Sequence, residues 1–153
     1  MKLKYIKKIL LRVKNLCLYQ LDRNFIIKKF IEDSSKKLNY KVFQFQFNRP
    51  DFIENFIFSI TNSQCVITDS FHGTVFSIIF NKPFISFVNK NRGKGRFDSL
   101  KEVFSLYDRI IDPLKRANID INLLINKPNV NQTILNQLRS FSIKYLKKNL
   151  GLF

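Results

Sequence analysis

His72 is the single histidine of a 153-residue chain, and it lies in the run VITDSFHGTVFSIIFNKPF over residues 66–84. A short apolar stretch, Cys65, Val66 and Ile67, leads into a polar turn, Thr68-Asp69-Ser70. A helical pattern follows, opening at His72-Gly73-Thr74 and closing at Asn81-Lys82-Pro83. A strand, a turn and a helix N-terminus in that order present unpaired N–H groups and a positive dipole end, which suit an anion. Ser70 and Thr74 are expected to add hydroxyl donors, and the small Gly73 to let a ligand approach the backbone closely. An imidazole there can donate or accept a proton, or bind phosphate as a cation. Asp69 reads as the helix cap rather than a base. A second candidate set follows downstream, where Arg92, Lys94 and Arg96 lie in the glycine-containing segment Asn89–Arg96. Forked guanidinium groups suit the oxygens of phosphate or carboxylate.

The elements that must position these residues alternate. Leu16–Tyr19 reads as a buried strand, followed by a helix capped by Asp22 or Asn24 and carrying Ile26, Ile27, Phe30, Ile31 and Leu38. Tyr40–Phe47 reads as a second strand, and a helix with Phe52, Ile53, Phe56, Ile57 and Ile60 follows Pro50. Cys65–Thr68 is the third strand, 70–81 the third helix and Phe84–Val88 the fourth strand. The basic segment to Arg96 reads as a loop, with a short helix over Phe97–Leu106 and a last strand within Tyr107–Pro113. Residues 114–128 look irregular, and 129–149 form a long amphipathic helix. Strands alternating with helices of this length predict an α/β fold, a Rossmann-like parallel sheet with helices on both faces. In such sheets ligands sit beyond the strand C-termini, which places Gln20–Arg23, Asp69–Thr74 and Asn89–Arg96 on one rim.

Composition narrows the function classes. The net charge of +16 suggests nucleic acid, an anionic membrane or a small anionic substrate, although usage rich in Lys, Asn, Ile and Phe also raises it. No aromatic-basic RNA-binding motif or zinc-finger spacing is present, so no specific nucleic acid is expected as partner. Cys17 and Cys65 lack CxxC spacing and read as small buried hydrophobes in a reducing compartment; no metal site is expected. No apolar run is long enough to span a bilayer. Residues 1–14 form a basic amphipathic leader, with Leu3, Ile6, Leu10 and Val13 on one face, that suits a membrane surface or a packing partner. The expected location is cytoplasmic, with peripheral contact at the inner face of the membrane. The absence of GxGxxG and GxxxxGK[ST] disfavours a dinucleotide site or a P-loop kinase.

The run VITDSFHGTVFSIIFNKPF, the downstream Arg92-Gly93 and Arg96-Phe97-Asp98-Ser99-Leu100, and Tyr107–Ile111 together resemble the C-terminal half of the bacterial polysaccharide pyruvyl transferase family. The resemblance extends over about residues 15–147. It implies the C-terminal domain of a GT-B-like fold, with 15–128 as the donor-binding domain and 129–153 as the terminal helix. It also implies transfer of pyruvyl from phosphoenolpyruvate to sugar hydroxyls during surface-polysaccharide (exopolysaccharide) biosynthesis. Phosphoenolpyruvate is then a co-substrate, with no further cofactor, and a sugar or lipid-linked glycan is the acceptor. His72 matches the family's histidine near the donor. The family often carries an arginine two positions before it, where this chain has Ser70, so Arg92 or Arg96 would supply that charge. Family members are about twice as long, so the resemblance implies either a truncated gene or half of a split enzyme whose N-terminal half, encoded separately, would be its partner, and this chain alone is expected to be inactive. The alternatives are a GT-B-like glycosyltransferase domain using a nucleotide sugar, or a non-catalytic module binding an anion or membrane.

Overall fold

A computed structural model describes residues 14–44, 52–90, 93–114 and 119–151. It contains five parallel strands, β1 (Asn15–Tyr19), β2 (Lys41–Gln44), β3 (Cys65–Thr68), β4 (Phe84–Phe87) and β5 (Ile110–Ile111). Five helices accompany them: α1 (Phe25–Leu38), α2 (Phe52–Asn62), α3 (Phe71–Ile79), α4 (Lys94–Phe104) and α5 (Gln132–Asn149). A 3-10 turn occupies Ile121–Leu124, inside the segment expected to be irregular. The expected leader lies outside the described residues apart from Lys14, as do the end of the second strand pattern and Arg92.

The strand order is β2-β1-β3-β4-β5, so the chain reverses direction across the sheet between β1 and β3. Register pairs Leu16 with Cys65, Ile67 with Ile85, and Ser86 with Ile110. β1, β3 and β4 are buried along their whole length, which is why they read as continuous apolar runs rather than alternating ones. One face places Cys17, Tyr19, Val66, Phe84 and Ile110 against side chains of α2, α3, α4 and the start of α5. The other places Leu16, Leu18, Ile67, Ile85 and Phe87 against Ile27, Phe30 and Ile31 of α1 and Leu124. Helices on both faces are the direct outcome of right-handed crossovers leaving β1 and β3 in opposite directions.

The ends of the helices are set by local chemistry. Of the two candidate caps for α1, Asn24 is used: its side chain accepts from the N–H groups of Ile26 and Ile27. Asn39 then closes the helix in the left-handed conformation. The segment read as a loop to Arg96 is shorter than expected, because α4 begins at Lys94. Gly93, at φ 88°, turns the chain directly into the helix, and Lys94 pairs with Asp98 one turn on. Lys94 and Arg96 are therefore first-turn helix residues. At the other end Ser105 adopts φ 53°, stopping α4 at Phe104.

Arg109 is buried beside β5 and donates to the carbonyls of Leu123 (2.7 Å), Asn126 (2.9 Å) and Lys127 (3.2 Å). It fastens the 3-10 segment over the sheet, and burial lowers its pKa from the usual arginine value. Cys17 and Cys65 are free and buried, and burial pushes both thiols up to about 12.

Candidate active site

The turn after β3 begins with Asp69, which is 3% exposed. Its carboxylate reaches across the point where strand order reverses and accepts from the N–H of Leu21 (2.6 Å) and of Asp22 (2.9 Å). Asp69 is therefore a brace between the β1–α1 and β3–α3 turns and not the cap of α3. Burial raises its pKa, the two N–H bonds oppose the rise, and neighbouring Asp22 adds to it.

Ser70 is the cap. Its side chain accepts from the N–H of Gly73 at 3.4 Å, and its own N–H donates to Thr68 Oγ1 at 3.0 Å. Asp69 cannot do this because its carboxylate is already committed sideways. Ser70 is followed at helical spacing by Gly73, Thr74 and Ser77, and this row of small residues lies buried against the sheet. A Cβ on Gly73 would come within 2.4 Å of Thr68 Oγ1 and 2.9 Å of a Tyr19 ring carbon. The close approach that glycine permits here is thus between helix and sheet, not between backbone and ligand. Thr74 Oγ1 bonds the Ser70 carbonyl (2.9 Å) and Ser86 Oγ on β4 (2.6 Å), and Ser77 Oγ donates to the Gly73 carbonyl. The hydroxyls of Ser70 and Thr74 are engaged within the protein.

The remaining members of the run face outward. His72 is exposed at the second position of α3, next to the half-buried Phe71. The N–H groups of Phe71 and His72 lie in the first turn, where the helix provides no acceptor. The imidazole meets the Phe71 ring edge-on at 5.8 Å, and the Arg96 guanidinium lies over that ring, 4.9 Å from its centroid. Phe97 closes on Phe71 from α4 with centroids 6.0 Å apart. Phe71 thus joins the first turns of α3 and α4 and brings His72 and Arg96 to one patch. Neither helix has an acidic residue in its first turn, and α4 starts with Lys94 and Arg96 instead. Cations are disfavoured at a helix N-terminus, so this arrangement accumulates positive potential at a cost in helix stability. Lys94 contributes less of it, since Asp98 holds its ammonium.

Beside this patch lies a cleft of about 630 Å³ at the strand C-termini. Asp22, Arg23, Asn89, Lys90 and Asp112 line it together with Asp69, while Ser70, His72, Gly73, Thr74, Lys94 and Arg96 lie outside its lining. Asn89 donates to the Asp22 carboxylate and Lys90 pairs with Asp112 at 3.1 Å, so one of its carboxylates is held by a neutral amide and another by an ammonium group. The rim expected from the strand order exists, but it has two parts: an outward cationic patch around His72 and a cleft of mixed charge beyond Asp69. Phe71 and Asp112 were not singled out by spacing; the C-terminal position of Asp112 after the last strand was the available signal.

The family model for polysaccharide pyruvyl transferase matches residues 2–91, more than half of the chain. The chain belongs to the polysaccharide pyruvyl transferase family. The matched span contains β1, β3, β4 and the whole Asp69–Thr74 run, and ends ahead of Lys94 and Arg96, short of the extent to residue 147 suggested by sequence resemblance. No curated protein and no solved structure matches the chain. Among the described residues no cluster of His, Cys, Asp or Glu has the make-up of a metal site, and no helix is long and apolar enough to cross a membrane.

Proposed function

We propose that this pyruvyl transferase family chain binds phosphoenolpyruvate at the patch between the first turns of α3 and α4, for transfer of the pyruvyl unit to sugar hydroxyls. The observation that carries the reading is the joining of His72 and Arg96 through Phe71 at two helix N-termini, within a fold of this family. Phosphoenolpyruvate carries a phosphate and a carboxylate. Arg96 and the N–H groups of Phe71 and His72 offer donors suited to one of them.

Ketal formation requires two sugar oxygens to bond the enol carbon, the methylene carbon to gain a proton, and the C–O bond to phosphate to break. The second hydroxyl proton leaves with phosphate or a base. His72 is the one imidazole in the chain, and it stands where it could supply or take up such a proton. Both His72 and Arg96 are open to solvent, so a facing surface is needed to exclude water and bring the acceptor. We assign that surface to a second Rossmann-like half, without which this domain binds donor but does not turn over.

Thermal shift with phosphoenolpyruvate tests the assignment. A saturable stabilisation is expected, weakened roughly ten- to hundred-fold in affinity by His72→Ala and by Arg96→Ala, as for loss of a charge-assisted bond. Stabilisation by nucleotide sugars but not phosphoenolpyruvate would select a glycosyltransferase instead. No response to phosphoenolpyruvate, with or without a facing half, would remove the proposal.

A further inference from the structure

The last helix is amphipathic in a way that the domain does not use. Of its 18 residues only Leu135 is buried, while Phe141 is 71% and Tyr145 60% exposed. Leu138, Phe141 and Tyr145 follow at three- and four-residue spacing and form one row on the helix surface. Leu146 and Leu150 continue the row of Leu135 beyond the domain, and they too are exposed. Lys144 and Lys148 each follow an aromatic by three residues, which sets a row of ammonium groups along the edge of the apolar row. Lys147 adds a third on the polar side. From Ile121 to the C-terminus the sequence has no acidic residue, but it has Lys127, Arg139, Lys144, Lys147 and Lys148.

That charge pattern decides between occupants. A second copy of the chain, itself carrying +16, would bring like charge to the lysine rows. The basic leader at residues 1–14 would do the same. An anionic lipid surface matches both features, because aromatic and aliphatic side chains enter the acyl boundary while lysines extend to the headgroups. We propose that α5 is a membrane-surface helix, which lays Leu138, Phe141 and Tyr145 into an anionic bilayer with Lys144 and Lys148 at the headgroup level. The helix is far too polar to span the membrane, and it would hold the domain at the surface. The inference is independent of which donor the α3–α4 patch takes.

The chain lacks tryptophan, so Tyr145→Trp places a single reporter on the proposed lipid face without perturbing a buried position. With vesicles of phosphatidylglycerol and phosphatidylcholine, its emission should shift to the blue and the full chain should co-sediment. Pure phosphatidylcholine vesicles should give neither result. In the otherwise unaltered chain, Phe141→Ser with Tyr145→Ser should weaken vesicle binding about ten-fold or more. Lys144→Gln with Lys148→Gln should weaken it to a similar degree, at about five-fold per lysine. Circular dichroism checks that each variant keeps its fold. Co-sedimentation without a blue shift would overturn the proposal, since another basic segment would then be making the contact. Self-association of the chain abolished by Phe141→Ser would overturn it in favour of a second copy, and absence of vesicle binding would overturn it outright.

Discussion

Within the six residues from Asp69 to Thr74, four are buried and two face the surface, and the two groups do different work. Asp69, Ser70, Gly73 and Thr74 are consumed by the fold: a brace to β1, a cap, a steric allowance and a bond to β4. Phe71 and His72 sit between them in sequence, yet turn toward Arg96 on α4. The division follows helical geometry, because positions 70, 73, 74 and 77 share the sheet-facing side of α3 while 71 and 72 do not. A short motif with apparent binding chemistry can therefore consist mostly of residues that hold one exposed side chain in place.

Substitutions can test that division. The largest effect is expected for Gly73→Val, whose side chain would strike Thr68 and Tyr19. A loss of about 3 kcal/mol or more in a urea unfolding curve is predicted, at the upper end for overpacked sites. A loss below about 1 kcal/mol would show that α3 can lift off the sheet and that glycine serves some other need.

Asp69→Asn comes next. An amide has one oxygen for two N–H donors and would turn its NH2 toward the other, so a loss of about 2 kcal/mol is expected for a buried charge-assisted pair. Urea denaturation at neutral pH measures it. An unchanged midpoint would mean that the β1 and β3 turns hold without the brace.

The buried strands make a pH-dependent contribution that is felt only above pH 9. Cys17 and Cys65 have thiol pKa values near 12 in the fold against 9.0 as the ordinary value. Because the folded values are raised, this part of the stability is complete below pH 9 and is lost as pH climbs toward 12. Each thiol should cost about 1.4 kcal/mol per pH unit across that window. Comparing the chain with Cys17→Ala and Cys65→Ala, whose stability should fall less steeply, isolates the thiols from lysine and tyrosine titration. Parallel slopes would show that water reaches the strands.

His72→Ala sits at the other end of the scale, and should change stability by less than about 0.5 kcal/mol while weakening the donor response about ten- to hundred-fold in affinity. A marked loss of stability would move His72 into the structural group and collapse the division within the run.

The two-sided α/β sheet, the order of its elements and the burial of both cysteines were legible in the sequence, since each rests on local periodicity and on apolar runs too long to be half exposed. The rim was legible too, because strand C-termini follow from element order alone. The role of Asp69 was not: its partners are the N–H groups of Leu21 and Asp22, distant in sequence and joined to it only where β1 lies beside β3. The start of α4 was hidden as well, since Lys94 and Arg96 in a glycine-flanked basic segment read as loop until Gly93 is seen to take a left-handed cap. Sequence alone determined that His72 opens a helix after a strand. The tertiary structure decided which of its neighbours are spent on packing, because that depends on which face of α3 meets the sheet, and it brought Arg96 to the other side of Phe71.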